Sequence, residues 1–321
     1  MSVGRPAGVL AIVGATATGK SELAVAVAER LGGEIVSADA FAVYRGFDAG
    51  TAKPSAALRA RVPHHLVDAR DPREPWSAGA FATEARRICE EILSRGRLPI
   101  LAGGTGFYVR AFFGGLFEGP LRDDALRRSL ASVKEKRGAE FLVRMIALLD
   151  PESAKRVGAL DASRAIRLLE ILFLSGARPS RLFRERPGPA WEKPSVKVLL
   201  TLPRAVLYGR IAARFQSDFV NELPTEVRGL LAAGIPLAAP AFHAIGYRDT
   251  ADLVSGALSE GEWKERVLRE TRRYAKRQEA WFRRESGLVP VRADRPDLVD
   301  FVAREARPLF LFSDSGEGGR P

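Results

Sequence analysis

The sequence predicts an α/β fold: a P-loop NTPase-like parallel sheet covered by helices, with an inserted all-helical subdomain. Three observations carry this reading. Residues 9–13 form a short β-branched apolar run that leads into a glycine loop and then a segment of helical periodicity. Short apolar strands continue to alternate with amphipathic helices as far as residue 102. Residues 121–187 then read as helix after helix with no convincing strand.

In chain order, residues 9–13 are the first strand and 21–31 the first helix, stopped by Gly32-Gly33. Residues 34–37 are a second strand, finishing at Ala38-Asp39. A long amphipathic helix over 76–95 stops at Gly96, and 98–102 follow as a third buried strand ending in Gly103-Gly104-Thr105-Gly106. In parallel sheets ligands gather at the carboxyl ends of the strands. All three glycine- or Asp-bearing segments lie at such ends.

Helices are expected at 124–136, 139–149 and 163–174, in a window with 15 Lys plus Arg against 9 Asp plus Glu. The Pro- and Gly-rich stretch 186–194 closes this window, and 196–202 return as a strand. The expected organisation is a first core part over 1–119, a helical insertion over 120–194, and a second core part over 195–312. That last part carries helices at 204–219 and 225–233 and a long basic helix at 261–285. Residues 313–321 are small and polar and are expected to be disordered.

Composition narrows the partners. A chain of 321 residues with 46% hydrophobic residues has ample material for a packed core. Its longest apolar runs, such as 9–13 and 99–102, are too short to cross a bilayer, and the N-terminus does not read as a signal peptide. Cys89 is the only cysteine, so no internal disulfide can form and a reducing, cytoplasmic compartment fits. His64, His65 and His243 do not stand at zinc spacing. A formal charge of +11 suits a polyanionic partner, because each neutralised phosphate releases counterions.

Gly14-Ala15-Thr16-Ala17-Thr18-Gly19-Lys20-Ser21 fits the full G-x-x-x-x-G-K-[ST] pattern between a strand and a helix. Its backbone N–H groups and the helix N-terminus suit a phosphate, Lys20 adds a full charge, and the Ser21 hydroxyl can hold Mg²⁺. The acid with which an ATPase of this fold holds magnesium at a later strand end is missing, since the third strand runs into glycines. Asp39 instead closes the second strand. It either caps a turn or takes a proton from an acceptor nucleophile.

Further segments resemble the tRNA dimethylallyltransferases (tRNA isopentenyltransferases). They are Ser37-Ala38-Asp39, Val43-Tyr44-Arg45-Gly46, Asp48, Gly50-Thr51-Ala52-Lys53-Pro54 and His64-His65-Leu66-Val67-Asp68. Gly103-Gly104-Thr105-Gly106-Phe107-Tyr108, Arg164 and Arg167 before Leu169-Glu170, and Ile245-Gly246-Tyr247-Arg248 follow. Thr271-Arg272-Arg273-Tyr274-Ala275-Lys276-Arg277-Gln278 and Trp281-Phe282 complete a series covering nearly the whole chain.

The resemblance implies transfer of a dimethylallyl group from dimethylallyl diphosphate to N6 of the adenosine 3′ of the tRNA anticodon (position 37), with Mg²⁺. Residues 14–21 would hold the donor's diphosphate and hydrolyse no ATP. Asp39 would accept the proton of the attacking amine, and Thr105 would hydrogen-bond the bridging oxygen of the leaving group. Lys20, Arg214 and Mg²⁺, the last held by Ser21 through the diphosphate, would neutralise its charge. The resemblance also carries tRNA contacts to Asp39, Ala40, Phe41, Ala42, Thr105 and Arg127. Others fall on Ser163, Arg164, Ala165, Ile166 and Arg167 in the insertion, and on His243, Ala244, Ile245, Gly246, Tyr247 and Arg248. A monomer is expected, open to the tRNA anticodon stem-loop.

One departure concerns selectivity. Most members have Ser after the catalytic Asp and many have Gln two residues further on, where this chain has Ala40 and Ala42. Catalysis by Asp39 is untouched by that, but the usual anticodon-loop preference is in question. Two other readings share the phosphate loop: an adenylate isopentenyltransferase and a P-loop small-molecule kinase. Neither needs a basic helical insertion. His64 and His65 match the family's pair and are given a structural role. The aromatics of the basic helix, Tyr274, Trp281 and Phe282, are read as packing beneath its arginines.

Overall fold

The computed structural model describes residues 5–311, except 118, 121, 159, 186 and 187 and the side chain of Asp218. The expected disorder of 313–321 lies outside the described residues. Strand β1 (Arg5–Pro6) pairs antiparallel with β8 (Phe310–Leu311) in a small ribbon. The main sheet holds β2 (Val9–Gly14), β3 (Gly33–Ser37), β4 (His64–His65), β5 (Leu98–Gly103), β6 (Ser195–Thr201) and β7 (Leu288–Arg292). Their order is β4-β3-β5-β2-β6-β7, and every pairing is parallel.

Register follows burial. β2 is buried at all six residues, with Ala11 opposite Leu101 on one side and Lys197 on the other. Central strands covered on both faces need such unbroken apolar runs. Leu10, Ile12, Ile35, Leu98, Ile100, Val198 and Leu200 pack with Leu23, Val25 and Val27 of the helix Lys20–Leu31 and with Val302 of the helix Leu298–Glu305. Each such side chain contributes about 1.5–3 kcal/mol by leaving water.

Contacts divide the chain into one unit of Met1–Phe113 with Trp191–Pro321 and another of Gly114–Ala190. The division falls before residue 120 and before residue 194 because Trp191 belongs to the sheet unit. Its N–H donates to the Phe113 carbonyl at 3.2 Å, and its ring stacks on Phe112 with centroids 5.1 Å apart. The helical unit contains Asp124–Arg137, Ala139–Leu149, Pro151–Ala154, Ala162–Ser175 and Pro179–Glu185. Its core is Leu130, Leu142, Ile146, Ala165, Leu168 and Leu169. Asp123 and Asp161 cap two of the helices, accepting from the N–H of Leu126 and Arg164.

The predicted helices 204–219 and 225–233 are one run. Arg204–Arg214 passes through a π-helical turn, Phe215–Phe219, into Val220–Ala232. That wide turn comes just before Pro224, whose ring a regular helix would press against the preceding turn. The long helix Glu260–Phe282 begins at a capping box, Ser259 with Glu262. It buries Trp263, Val267, Thr271, Ala275, Gln278 and Phe282 along one stripe, and leaves Arg266, Arg269, Arg272, Arg273, Lys276 and Arg277 exposed. No helix among the described residues is long and apolar enough to cross a membrane.

Candidate active site

The strand order places the site. β3, β5, β2 and β6 are consecutive in the sheet and run the same way, so their carboxyl ends sit side by side. Asp39 follows β3, Thr105 follows β5, the phosphate loop follows β2, and the helix Arg204–Arg214 follows β6. A cavity of about 1040 Å³ opens there, lined among others by residues 16–21, Asp39, Gly104, Arg210, Arg214, Tyr274 and Gln278. Segments separated by more than 200 residues in sequence thus meet at one rim.

Gly19 stands at φ +88° ahead of the helix, and Ala17 takes φ +63°, a left-handed conformation that costs a residue with a Cβ about 1–2 kcal/mol. The Thr18 hydroxyl donates to the Ala15 carbonyl at 2.9 Å, and Lys20 Nζ donates to the same oxygen at 2.6 Å. Burial pushes the Lys20 ammonium down from its ordinary value of 10.5 to about 8; nearby Asp39 opposes that shift and Arg214 adds to it. An anion in the loop would restore the charge that burial disfavours. Arg214 Nη1 lies 3.4 Å from Thr16 Oγ1, and its guanidinium sits 5.6 Å from the centre of the Phe219 ring.

Asp39 Oδ1 accepts the backbone N–H groups of Phe41 (2.9 Å) and Ala42 (3.2 Å). Asp39 therefore does close a turn, as one reading of the sequence had it. Among the described residues Oδ2 accepts no hydrogen bond, and the side chain lines the cavity. One oxygen fixes the carboxylate and the other is left for chemistry. Thr105 is bound to the same loop: its N–H donates to the Ala38 carbonyl at 3.2 Å, and its Oγ1 accepts the Ala40 N–H at 3.1 Å. The two strand ends approach so closely that a Cβ on Gly103 would lie 2.2 Å from the Ala38 oxygen.

The residues expected to meet RNA sort into three groups. Asp39, Phe41, Ala42, His243, Ala244 and Ile245 line the cavity. Ser163, Arg164, His243 and Arg248 are exposed, with Arg248 Nη2 3.2 Å from His243 Nε2, while Ala40 and Ile166 are partly buried. The third group is internal. Tyr247 is fully buried, its hydroxyl donating to Glu226 and accepting the Gly50 N–H at 3.2 Å. Ala42, Ala165 and Ala244 are core residues, and Gly246 is a buried helix start at φ +89°, so these positions offer backbone rather than side chains.

Arg127 and Arg167 are both partly exposed and paired within the helical unit. Both bind Glu170, which is fully buried. Arg127 grips it through two bonds of 2.9 and 2.8 Å, Arg167 through one of 2.6 Å, and the Asp123 N–H adds another at 2.9 Å. Burial alone would raise the Glu170 carboxyl; the hydrogen bonds from Arg127, Arg167 and Asp123 outweigh it and hold the group at about 2. A buried carboxylate needs such partners. These two arginines are internal ion-pair partners first, with only their outer edges in solvent.

The histidine pair forms the edge strand β4. His65 Nε2 lies 2.7 Å from buried Glu34, which Arg95 also meets at 2.8 Å. His64 Nδ1 lies 2.9 Å from the Val62 carbonyl, and burial pushes its imidazole below the ordinary value. Cys89 is buried, and its thiol is pushed far above the ordinary range by burial. Phe282 packs in the core as expected, but Tyr274 faces the cavity. Burial, reinforced by the charge of Asp39, pushes its phenol up to about 12 against hydrogen bonds with the side chains of Thr105 and Gln278. Arg210, one turn before Arg214, also lines the cavity. Its spacing of four from Arg214 on an amphipathic helix is the signal that could have found it.

Among the described residues no three His, Cys, Asp or Glu side chains converge on a metal position. The Ser21 hydroxyl would be the protein oxygen available at the loop to a magnesium ion brought with phosphate oxygens and water. Mg²⁺ accepts such a set.

Known proteins resemble this chain in sequence and fold. The IPP transferase family model matches residues 42–285, and the isopentenyl transferase model matches residues 7–67. A tRNA dimethylallyltransferase of Xanthomonas axonopodis pv. citri is 44% identical over 302 residues, covering 91% of this chain and 92% of the relative. One from Halorhodospira halophila is 45% identical over 288 residues, covering 89% and 93%. The crystal structure of a full-length tRNA isopentenylpyrophosphate transferase from Bacillus halodurans superposes with a TM-score of 0.68 at 35% identity, covering 94% of this chain and 97% of that one. The two family models between them span the phosphate loop and the loops of Asp39 and Thr105, and with identity of 44–45% over about nine-tenths of the sequence the chain belongs to the IPP transferase family, the tRNA dimethylallyltransferases.

Proposed function

We propose that the protein transfers the dimethylallyl group of dimethylallyl diphosphate to N6 of the adenosine 3′ of the anticodon in tRNA, releasing diphosphate. The observation that carries this reading is the meeting of the phosphate loop, Asp39 and the Gly103-Gly104 segment before Thr105 at three neighbouring strand ends around one cavity, with Thr105 bonded to the Asp39 loop. The diphosphate lies against residues 14–21, with Lys20, Arg210 and Arg214 supplying positive charge. Thr105 hydrogen-bonds the bridging oxygen through its hydroxyl as the allylic C–O bond breaks and the diphosphate leaves as an anion. The N6 amine, a poor nucleophile because its lone pair is delocalised into the purine, forms the new C–N bond and loses a proton to Asp39 Oδ2. Ser21 would hold a magnesium ion bound with the diphosphate, and that ion would supply further positive charge against the leaving group.

The tRNA meets the cavity mouth around Phe41, His243 and Ile245, and exposed cations such as Arg164 and Arg248 reach phosphates. The enzyme acts as a monomer in the cytoplasm. A kinase reading leaves Thr105 without a task, and a free-nucleotide acceptor leaves the basic helical unit without one. The test is incubation with labelled dimethylallyl diphosphate or labelled ATP, each with tRNA or AMP as acceptor. Label from the diphosphate in tRNA alone is expected; transfer to AMP, or phosphate transfer from ATP, would replace this assignment.

A further inference from the structure

The inner face of the long helix Glu260–Phe282 carries a buried polar group that the reaction described above does not use. Gln278 is 5% exposed. Its Oε1 accepts the Thr16 N–H at 2.9 Å and its Nε2 donates to the Gly104 carbonyl at 2.8 Å. One amide thus joins the phosphate loop to the loop of Thr105, partners 262 and 174 residues away.

The Gly104 carbonyl belongs to the peptide whose N–H is that of Thr105. That N–H donates to the Ala38 carbonyl at 3.2 Å, next to Asp39. Both polar groups of the peptide are therefore held, one by Gln278 and one by the Asp39 loop. The Thr105 hydroxyl accepts the Ala40 N–H at 3.1 Å and hydrogen-bonds the Tyr274 phenol, so its position is fixed from two sides. A Cβ at 104 would lie 2.3 Å from Gln278 Nε2 and would push the amide aside.

We propose that Gln278 is a positioning residue for group transfer: its amide sets the spacing between the phosphate loop and the Thr105 hydroxyl. This rests on the function proposed above. A neutral amide offers a donor and an acceptor side by side. A carboxylate could accept from Thr16 but would face the Gly104 carbonyl with no proton to give, and would set a negative charge beside the diphosphate. Because Gln278 reaches no reacting atom in this arrangement, it acts only through the groups it holds. Misplacing such a group by about 1 Å costs on the order of 100-fold in rate.

The test is single-turnover transfer at saturating donor and tRNA, with dissociation constants for inorganic diphosphate and tRNA and melting curves measured alongside. The proteins are wild type, Gln278→Met, Gln278→Glu, Thr105→Ala, Gly104→Ala and the Gln278→Met/Thr105→Ala double variant. Gln278→Met is expected to slow transfer by about 10- to 100-fold, with both dissociation constants little changed and Gln278→Glu slower still. The double variant should be no slower than the slower of its parents, because the amide works through the hydroxyl. Gly104→Ala keeps Gln278 but pushes the amide away, should reproduce the loss, and stands in if Gln278→Met does not fold. Losses that multiply in the double variant, or a folded Gln278→Met at the wild-type rate, overturn the proposal. A wild type that moves no label into tRNA overturns the functional reading itself, and this proposal with it.

Discussion

Asp39 closes a turn through Oδ1, and its side chain lines the cavity, where the proposed reaction uses Oδ2 as the base. Asp39→Asn can keep the turn, since an amide oxygen still accepts both N–H groups, but it cannot take up a proton. Transfer should fall about 100- to 10,000-fold while tRNA and diphosphate binding change little, as measured by single-turnover kinetics and a melting curve. Near-normal transfer by the folded variant would end the general-base role. Lys20 sets a pH limit from the other side of the site. Its ammonium is held near 8, and an anion binds the charged form. Affinity for inorganic diphosphate should therefore be level below about 8 and weaken above it by up to roughly tenfold per pH unit. Calorimetry across pH 7 to 9.5 reads this, and Lys20→Arg, which stays charged, should lack the decline.

At the scale of elements, the helix Ala162–Ser175 separates two arginines that sequence spacing treats alike. Arg164 is exposed, with Asp161 at 3.3 Å, whereas Arg167 points at buried Glu170. Arg164→Ala should lower the salt dependence of tRNA binding by about one unit of slope with little loss of stability. Arg127→Ala or Glu170→Gln should instead destabilise the helical unit by about 3–5 kcal/mol, the usual result of breaking a buried pair. An equal stability loss from Arg164→Ala would show that this distinction is misplaced. Because the Glu170 carboxyl sits near 2, below its ordinary 4.5, the pair contributes stability above about 4.5 and loses it as pH falls toward 2. Acid titration of the unit's helical signal should show that window, and Glu170→Gln should lose it.

At the scale of the whole molecule, the helical unit is an excursion between two residues that touch. Trp191 N–H donates to the Phe113 carbonyl, so the sheet unit meets itself where the excursion leaves and returns. Replacing Gly114–Ala190 by a short glycine linker should leave the sheet unit folded and able to bind inorganic diphosphate, since the cavity lining lies outside the excised residues. Affinity for tRNA should fall by at least about tenfold with the loss of its basic residues. A sheet unit that no longer folds would show that the excursion is structural.

Much of this was legible without coordinates, for reasons that differ by feature. Residues 14–21 announce themselves because a phosphate loop needs glycines at set positions between a strand and a helix, and that requirement is local. The apolar runs at 9–13 and 98–102 declare a doubly covered sheet because burial on both faces removes alternation. Asp39 and Thr105 could be placed at strand ends, but whether Asp39 caps or catalyses turned on which oxygen the turn uses. Strand order is a tertiary property, and it alone brings the loop after β6 beside the loop after β2. Burial is tertiary too: Arg164 and Arg167 each stand three residues from an acid, Asp161 and Glu170, and only the fold sets Glu170 at the centre of a helical core and leaves Asp161 partly exposed. Gln278 was one more polar residue in a basic helix until the fold set its amide between two loops far away in sequence, where both of its hydrogen-bonding groups are used.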